Sequence, residues 1–148
     1  MQKLNLGCGK DVRRGPDTWV NVDYHKLPGV DVVANIRKAL PFKDSEFDYV
    51  LCSHIVEHVT FEEKMPLISE LWRITKPGGT IEIFCPNWSD RNAFIDPTHL
   101  SVWEIHTFDY FVPGHWANYY SNARFKIKLK EVRGDRNEEL HWILEVIK

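Results

Sequence analysis

Leu4-Asn5-Leu6-Gly7-Cys8-Gly9, followed by Val20-Asn21-Val22-Asp23, is the stretch that decides the fold. A short apolar run breaks into a Gly-x-Gly turn, and a second run ends in an acid 14 positions after the second glycine. This reads as strand, tight turn, strand, with a carboxylate delivered to the carboxyl edge of a parallel sheet. Open α/β sheets take adenosine-containing ligands at that edge. A dinucleotide fingerprint needs a third glycine three residues on. Val12 stands there, which disfavours a nicotinamide or flavin site.

Working outward, residues 10–18 hold Arg13-Arg14-Gly15-Pro16-Asp17, a turn-rich linker with barely the dozen residues that a parallel crossover wants. Residues 30–34 (Val-Asp-Val-Val-Ala) read as a short third strand and Phe47 to Cys52 as a fourth, the latter apolar enough to be buried on both faces. Thr60-Phe61-Glu62-Glu63 has the form of a capping box, and Leu67, Leu71 and Ile74 follow at helical spacing. Lys76-Pro77-Gly78-Gly79 reads as the stop, with a fifth strand over Thr80 to Cys85. Residues 87–122 are rich in aromatics, His and Asp with broken periodicity, and are expected to shape or cover a substrate site. Arg124 to Lys130 alternates cation and apolar residue, the pattern of a guarded edge strand. Gly134-Asp135-Arg136-Asn137 turns it into a more apolar, more central strand, Leu140 to Ile147.

The 148 residues fit one domain with a single core. A net charge of −2 carries no footprint for bulk nucleic-acid or anionic-membrane binding. Cys8, Cys52 and Cys85 are odd in number, far apart and free of any CxxC pairing, which fits reduced thiols and a cytoplasmic setting. No apolar run approaches membrane-spanning length. Six tryptophans in so short a chain point first to core filling.

Two constellations carry further chemistry. His54-Ile55-Val56-Glu57-His58 spells H-x-x-E-H, an inverted zinc-hydrolase motif in which two histidines grip the ion and Glu57 is the base. His54 comes almost directly off the fourth strand, so the histidines need not share one helix. The expectation is therefore a strand-to-helix turn with no metal ligands, and the zinc hydrolase is the lesser alternative. Asp96-Pro97-Thr98-His99 is a turn in which a carboxylate and an imidazole become neighbours, either as an acid–base pair or as a locally satisfied Asx turn.

Taken in order, these pieces resemble class I S-adenosylmethionine-dependent methyltransferases of the Methyltransf-11 type, over residues 3–86. Leu4 to Gly9 resembles the family's glycine-rich first motif, and Asn21-Val22-Asp23 the acidic end of its second strand. Asn35 with Leu40-Pro41-Phe42 resembles the adenine-contact segment. Phe47 through Val59 resembles the fourth-strand motif, and Leu71 through Gly79 the helix and turn before the fifth strand. The resemblance implies a Rossmann-like α/β fold: a mostly parallel sheet with a C-terminal antiparallel hairpin, here with reduced helices on the N-terminal side. It implies S-adenosyl-L-methionine as cofactor, held by Leu6, Gly7, Cys8, Gly9, Asp23, Tyr24, Asn35, Ile36, Ser53 and His54. His58 and His99 are the expected catalytic bases for O- or N-methylation of a small-molecule acceptor. The chain departs from the family pattern at Asn5, where an acid is usual, at Asp11 in place of a further glycine, and at Asn35 in place of aspartate. These departures and the short crossovers open two expectations: a catalytically silent S-adenosylmethionine-binding module, or a homodimer covering the abbreviated side.

Overall fold

A computed structural model of the chain describes residues 1–148. Seven strands form one sheet: β1 (Gln2–Leu6), β2 (Thr18–Asp23), β3 (Val32–Val33), β4 (Phe47–Ser53), β5 (Thr75–Pro86), β6 (Arg124–Arg133) and β7 (Glu139–Ile147). Their order is β3-β2-β1-β4-β5-β7-β6, with β1 to β5 parallel and β7 antiparallel to both of its neighbours. This is the expected sheet, with the lysine-bearing strand outermost. Lys126, Lys128 and Lys130 are exposed, and two of them meet carboxylates: Lys128 with Glu145 at 3.3 Å and Lys130 with Asp109 at 2.7 Å.

Register explains which side chains are buried. Leu4, Val50, Ile81 and Leu144 pair across the sheet, as do Leu6, Cys52, Ile83 and Trp142, so both rows point to one face. All eight are fully buried. Helix α1 (Phe61–Ile74) lays Leu67, Ile68, Leu71 and Ile74 into that core. Its start is fixed as expected, with the Glu63 carboxylate accepting from the Thr60 N–H at 2.9 Å. Its end differs. Thr75 already opens β5, pairs with Phe47 and is buried, while Pro77 and Gly78 bulge outward before Thr80 resumes the ladder opposite Tyr49. The glycine pair is thus a bulge within the strand and not a loop before it. Gly79 is required there, since a Cβ would lie 2.9 Å from the Lys76 carbonyl and 3.1 Å from that of Asp48.

The third strand is shorter than its apolar run. Asp31 is drawn out of it, its carboxylate accepting from both the backbone (2.8 Å) and the side-chain amide (2.9 Å) of Asn21. No helix forms between β1 and β2. The 10–17 linker is strapped to the sheet instead, through Asn5 Nδ2 to the Asp11 carbonyl (2.7 Å) and Arg13 N–H to Asn21 Oδ1 (2.7 Å). The 87–122 segment holds a one-turn helix, α2 (Asn92–Ile95), and two 3-10 turns at Thr107–Phe111 and Trp116–Tyr120. Trp103 and Phe108 anchor it in the core against Trp142. No helix is long and apolar enough to cross a membrane.

Candidate functional site

The carboxyl ends of β1, β2 and β4 converge on a cavity of about 740 Å³, within the roughly 300–1,000 Å³ usual for small-molecule sites. Gly7 and Gly9 turn the chain out of β1 at φ +70° and +50°. The turn is tied to β2 by Cys8 N–H to the Val22 carbonyl (2.9 Å) and by Gly9 N–H to Asp23 Oδ2 (2.8 Å). Asp23 Oδ1 accepts from the His25 N–H at 2.9 Å. Two of its roughly four lone-pair directions are thus used, and the rest are free for a ligand's hydroxyls. Asn35 closes an Asx turn, its side-chain oxygen accepting from the Arg37 N–H at 2.9 Å.

At the end of β4, His54 adopts a left-handed φ of +52°, while its N–H still reaches the Phe84 carbonyl at 2.9 Å. Its ring bridges two carboxylates, Nε2 to Glu139 at 2.9 Å and Nδ1 to Glu57 at 3.6 Å. Glu57, then burial in the opposite sense, acts on the imidazole, and the net effect raises its pKa. Burial pushes the Cys52 and Cys85 thiols up and, with Asp23, that of Cys8. None of the three is a thiolate nucleophile.

Seven of the predicted residues line the cavity: Gly7, Asp23, Tyr24, Asn35, Ile36, His54 and His58. Leu6, Cys8, Gly9 and Ser53 are not part of its wall. Leu6 and Cys8 are buried in the protein. The space above Gly7 is taken up from within, because a Cβ there would lie 2.6 and 2.7 Å from Ile55 Cδ1 and Cβ. His99 is also off the wall and packs edge-on against His58, ring centroids 5.0 Å apart. The H-x-x-E-H string does not form one helix. His54 stands in the left-handed turn, and only Val56–His58 makes a 3-10 turn.

Sequence reading missed His25, Arg37, Ile55, Pro97 and Leu100 as wall residues. The Asp96–His99 turn, with its carboxylate and imidazole, borders the cavity through Pro97 and Thr98. A second, more apolar cavity of about 480 Å³ lies between α1 and the 107–124 segment, away from the sheet edge and its polar groups.

Comparison with known proteins agrees with this geometry. Residues 16–83 match the family model described as a methyltransferase domain. The fold superposes on a SAM-dependent methyltransferase from Archaeoglobus fulgidus with a TM-score of 0.71 at 20% identity, over 97% of this chain and 85% of that one. The chain has the class I methyltransferase fold. Among curated sequences, it is 32% identical over 104 residues to an uncharacterized protein of Methanocaldococcus jannaschii, covering 60% of this chain and 44% of that protein. It is 34% identical over 64 residues to the demethylmenaquinone methyltransferase of Renibacterium salmoninarum, covering 43% of this chain and 26% of the enzyme. The chain therefore spans less than half the length of the curated relatives it matches. In this class I fold the sheet runs β3-β2-β1-β4-β5-β7-β6, and no helix stands in the first two crossovers.

Proposed function

We propose that this chain is an S-adenosylmethionine-dependent methyltransferase acting on a small-molecule oxygen or nitrogen. The observation that carries the reading is Asp23 at the cavity's edge, held by the glycine turn and by His25 with acceptor capacity left over. Bound there, S-adenosylmethionine would supply a methyl group on an electrophilic sulfonium. Asp23 would accept from the ribose hydroxyls, and Asn35 and Ile36 would flank the adenine, with Tyr24 beside them. His54, at the end of β4, lies toward the methionine portion. Displacement at a sulfonium methyl is in-line, so the protein's main contribution is alignment and exclusion of water. Pro97, Thr98 and Leu100 supply the wall on the acceptor side. Proton removal from a hydroxyl or ammonium acceptor falls to the imidazoles beside Glu57, of which His58 is on the wall and His99 positions it. A second copy of the chain is the proposed cover for the half-exposed face of the sheet, read by sedimentation.

Calorimetry with S-adenosylhomocysteine tests the reading. Two hydrogen bonds to an ionised acceptor at roughly 1.5 kcal/mol each make Asp23→Ala about a hundredfold weaker in binding. No binding by the wild type would sink the methyltransferase reading, and undiminished binding by the variant would remove Asp23 from its role. Where binding occurs, methyl transfer to an acceptor panel that includes demethylmenaquinone separates an enzyme from a silent binding module.

A further inference from the structure

We infer that Glu57, His58 and His99 form a binding site for a divalent transition-metal ion, Zn²⁺ in the first instance. One donor atom from each of the three lies within 4.8 Å of the others. Three further observations support the cluster as a metal site. The first is Glu57: its side chain is almost wholly buried, and neither carboxylate oxygen has a hydrogen-bond partner. A buried carboxylate without a hydrogen-bond donor is costly; the His54 ring stands off at 3.6 Å from Oε1, and a metal cation is the partner that one of its oxygens would bind directly.

The second is the tautomer of each imidazole. His58 Nδ1 lies 3.0 Å from the Thr98 carbonyl and His99 Nδ1 lies 3.3 Å from the Ala93 carbonyl. A carbonyl only accepts, so Nδ1 carries a proton in each ring, which leaves Nε2 as the atom that can offer a lone pair to a metal. A backbone carbonyl behind a histidine is the usual orienting shell of a metal ligand. His99 Nε2 is 3.9 Å from Glu57 Oε1 and 3.7 Å from Asp96 Oδ2, so two carboxylates face that nitrogen. Tetrahedral Zn²⁺ sets its donors about 3.4 Å apart, from bonds of about 2.0–2.1 Å. Closing the Glu57–His99 pair therefore takes a contraction of about half an ångström.

The third is rigidity. The Glu57 carbonyl accepts from the Leu100 N–H (2.8 Å) and the Ser101 N–H (3.2 Å), and the Val56 carbonyl accepts from Trp103 Nε1 (3.2 Å). Two chain segments some 40 residues apart are clamped with their donors facing one another. One carboxylate oxygen and two imidazole nitrogens suit zinc and its first-row neighbours rather than calcium or magnesium. The set differs from the hydrolase reading of the H-x-x-E-H string. His54 is replaced by His99, and Glu57 is a ligand, so no base is left for hydrolysis. Because His58 also lines the cavity, the ion borders it. Where the methyl-transfer reading holds, the ion would acidify an acceptor hydroxyl bound to it. It then takes the place of an imidazole base, since one lone pair on His58 cannot serve both.

The test uses Zn²⁺ alone and needs no methyl donor, so its outcome is independent of the methyl-transfer reading. Full-length protein stripped with chelator is titrated with Zn²⁺ by calorimetry, and with Co²⁺ by its visible absorption. The wild type is expected to bind one equivalent, with a rise in Tm on saturation. Glu57→Gln and His99→Ala are each expected to lose roughly a hundredfold or more in affinity, and His115→Ala, at the N-cap of the 116–120 turn, is expected to lose none. A purely structural Glu57 predicts the reverse: a lower metal-free Tm in Glu57→Gln with Zn²⁺ affinity unchanged. Absence of stoichiometric binding by the wild type overturns the inference. So does binding undiminished in both Glu57→Gln and His99→Ala, which would mark adventitious zinc elsewhere.

Discussion

Gly7→Ala is expected to damage the fold more than Gly9→Ala, although the two glycines belong to one turn. Gly7 lies at φ +70° and Gly9 at φ +50°, so each alanine meets the left-handed penalty of about 1–2 kcal/mol. Only at Gly7 does the added methyl collide, at 2.6 and 2.7 Å from Ile55 Cδ1 and Cβ, whereas nothing lies within 4 Å of a Cβ at Gly9. Overpacking of this kind costs about 1–3 kcal/mol. Gly7→Ala should therefore cost about 2–5 kcal/mol, and Gly9→Ala about 1–2 kcal/mol. At about 2–4 °C per kcal/mol for a domain of this size, Tm falls by around 10 °C and around 5 °C respectively. Ile55→Ala in the Gly7→Ala background opens the space and returns the packing part alone. A double-mutant cycle by urea denaturation is thus expected to show about 1–3 kcal/mol of favourable coupling. A coupling below about 0.5 kcal/mol, or equal losses at the two glycines, would refute the account of Gly7 as a seat for Ile55.

Two further outcomes follow from the strap over β1 and β2. Asn5→Asp, which installs the acid usual in the resembled family, is expected to destabilise by about 3 kcal/mol or more. Asn5 is buried and its Nδ2 donates to the Asp11 carbonyl and to Asn21 Oδ1, both of which only accept. Part of the loss should return near pH 5, where a protonated carboxyl regains a donor, and a variant as stable as wild type at pH 7 would refute this. For Asp31, burial alone would raise the pKa, but hydrogen bonds from Asn21 and Arg14 outweigh it and hold the carboxyl below its usual range. A depressed folded pKa adds stability above the unfolded value, lost as pH falls through the folded one. The Tm gap between wild type and Asp31→Asn should be full at pH 7 and close as the pH falls below the ordinary carboxylate range. A gap independent of pH would contradict the assignment.

The parts of the fold legible in the sequence were those decided by local pattern. Phe47–Cys52 is an apolar run broken only by Asp48, Arg124–Lys130 alternates strictly, and Thr60–Glu63 caps a helix, and each element stands where its pattern put it. The limits of β3 and β5 were not legible, because distant contacts set them. Asp31 leaves its strand for Asn21, and Thr75 joins β5 by pairing with Phe47 across the helix. The same division holds at the site. Asp23 and His54 are positioned by the strands they terminate, so their spacing placed them on the cavity wall. His99 was read as a base near His58, and the two rings do touch. That both face a buried Glu57 depends on hydrogen bonds between residues 56–57 and 100–103, which no local pattern announces.

The short crossovers also explain the other face of the sheet. Eleven residues join β1 to β2 and eight join β2 to β3, too few for a helix to return across parallel strands. That face is therefore left without a helical layer, and the sequence answers with side chains that protect one another. Trp19 meets Tyr49 edge-on, with Lys3 over both rings. The Tyr49 hydroxyl donates to Glu82, and His141 sits between Glu82 (2.8 Å) and Glu131 (2.9 Å). Phe84 stacks on His141 at 4.1 Å beneath Arg133. Burial and then Glu82 push the Tyr49 hydroxyl up, so it remains a donor throughout the neutral range. Such cross-strand pairs contribute roughly 0.2–1 kcal/mol each, which is modest beside a packed helix, but they satisfy the polar groups that face water. One wall of the cavity comes from His54, Ile55 and His58 together with Pro97, Thr98 and Leu100. The clamp between those two segments is then what holds the cavity's shape.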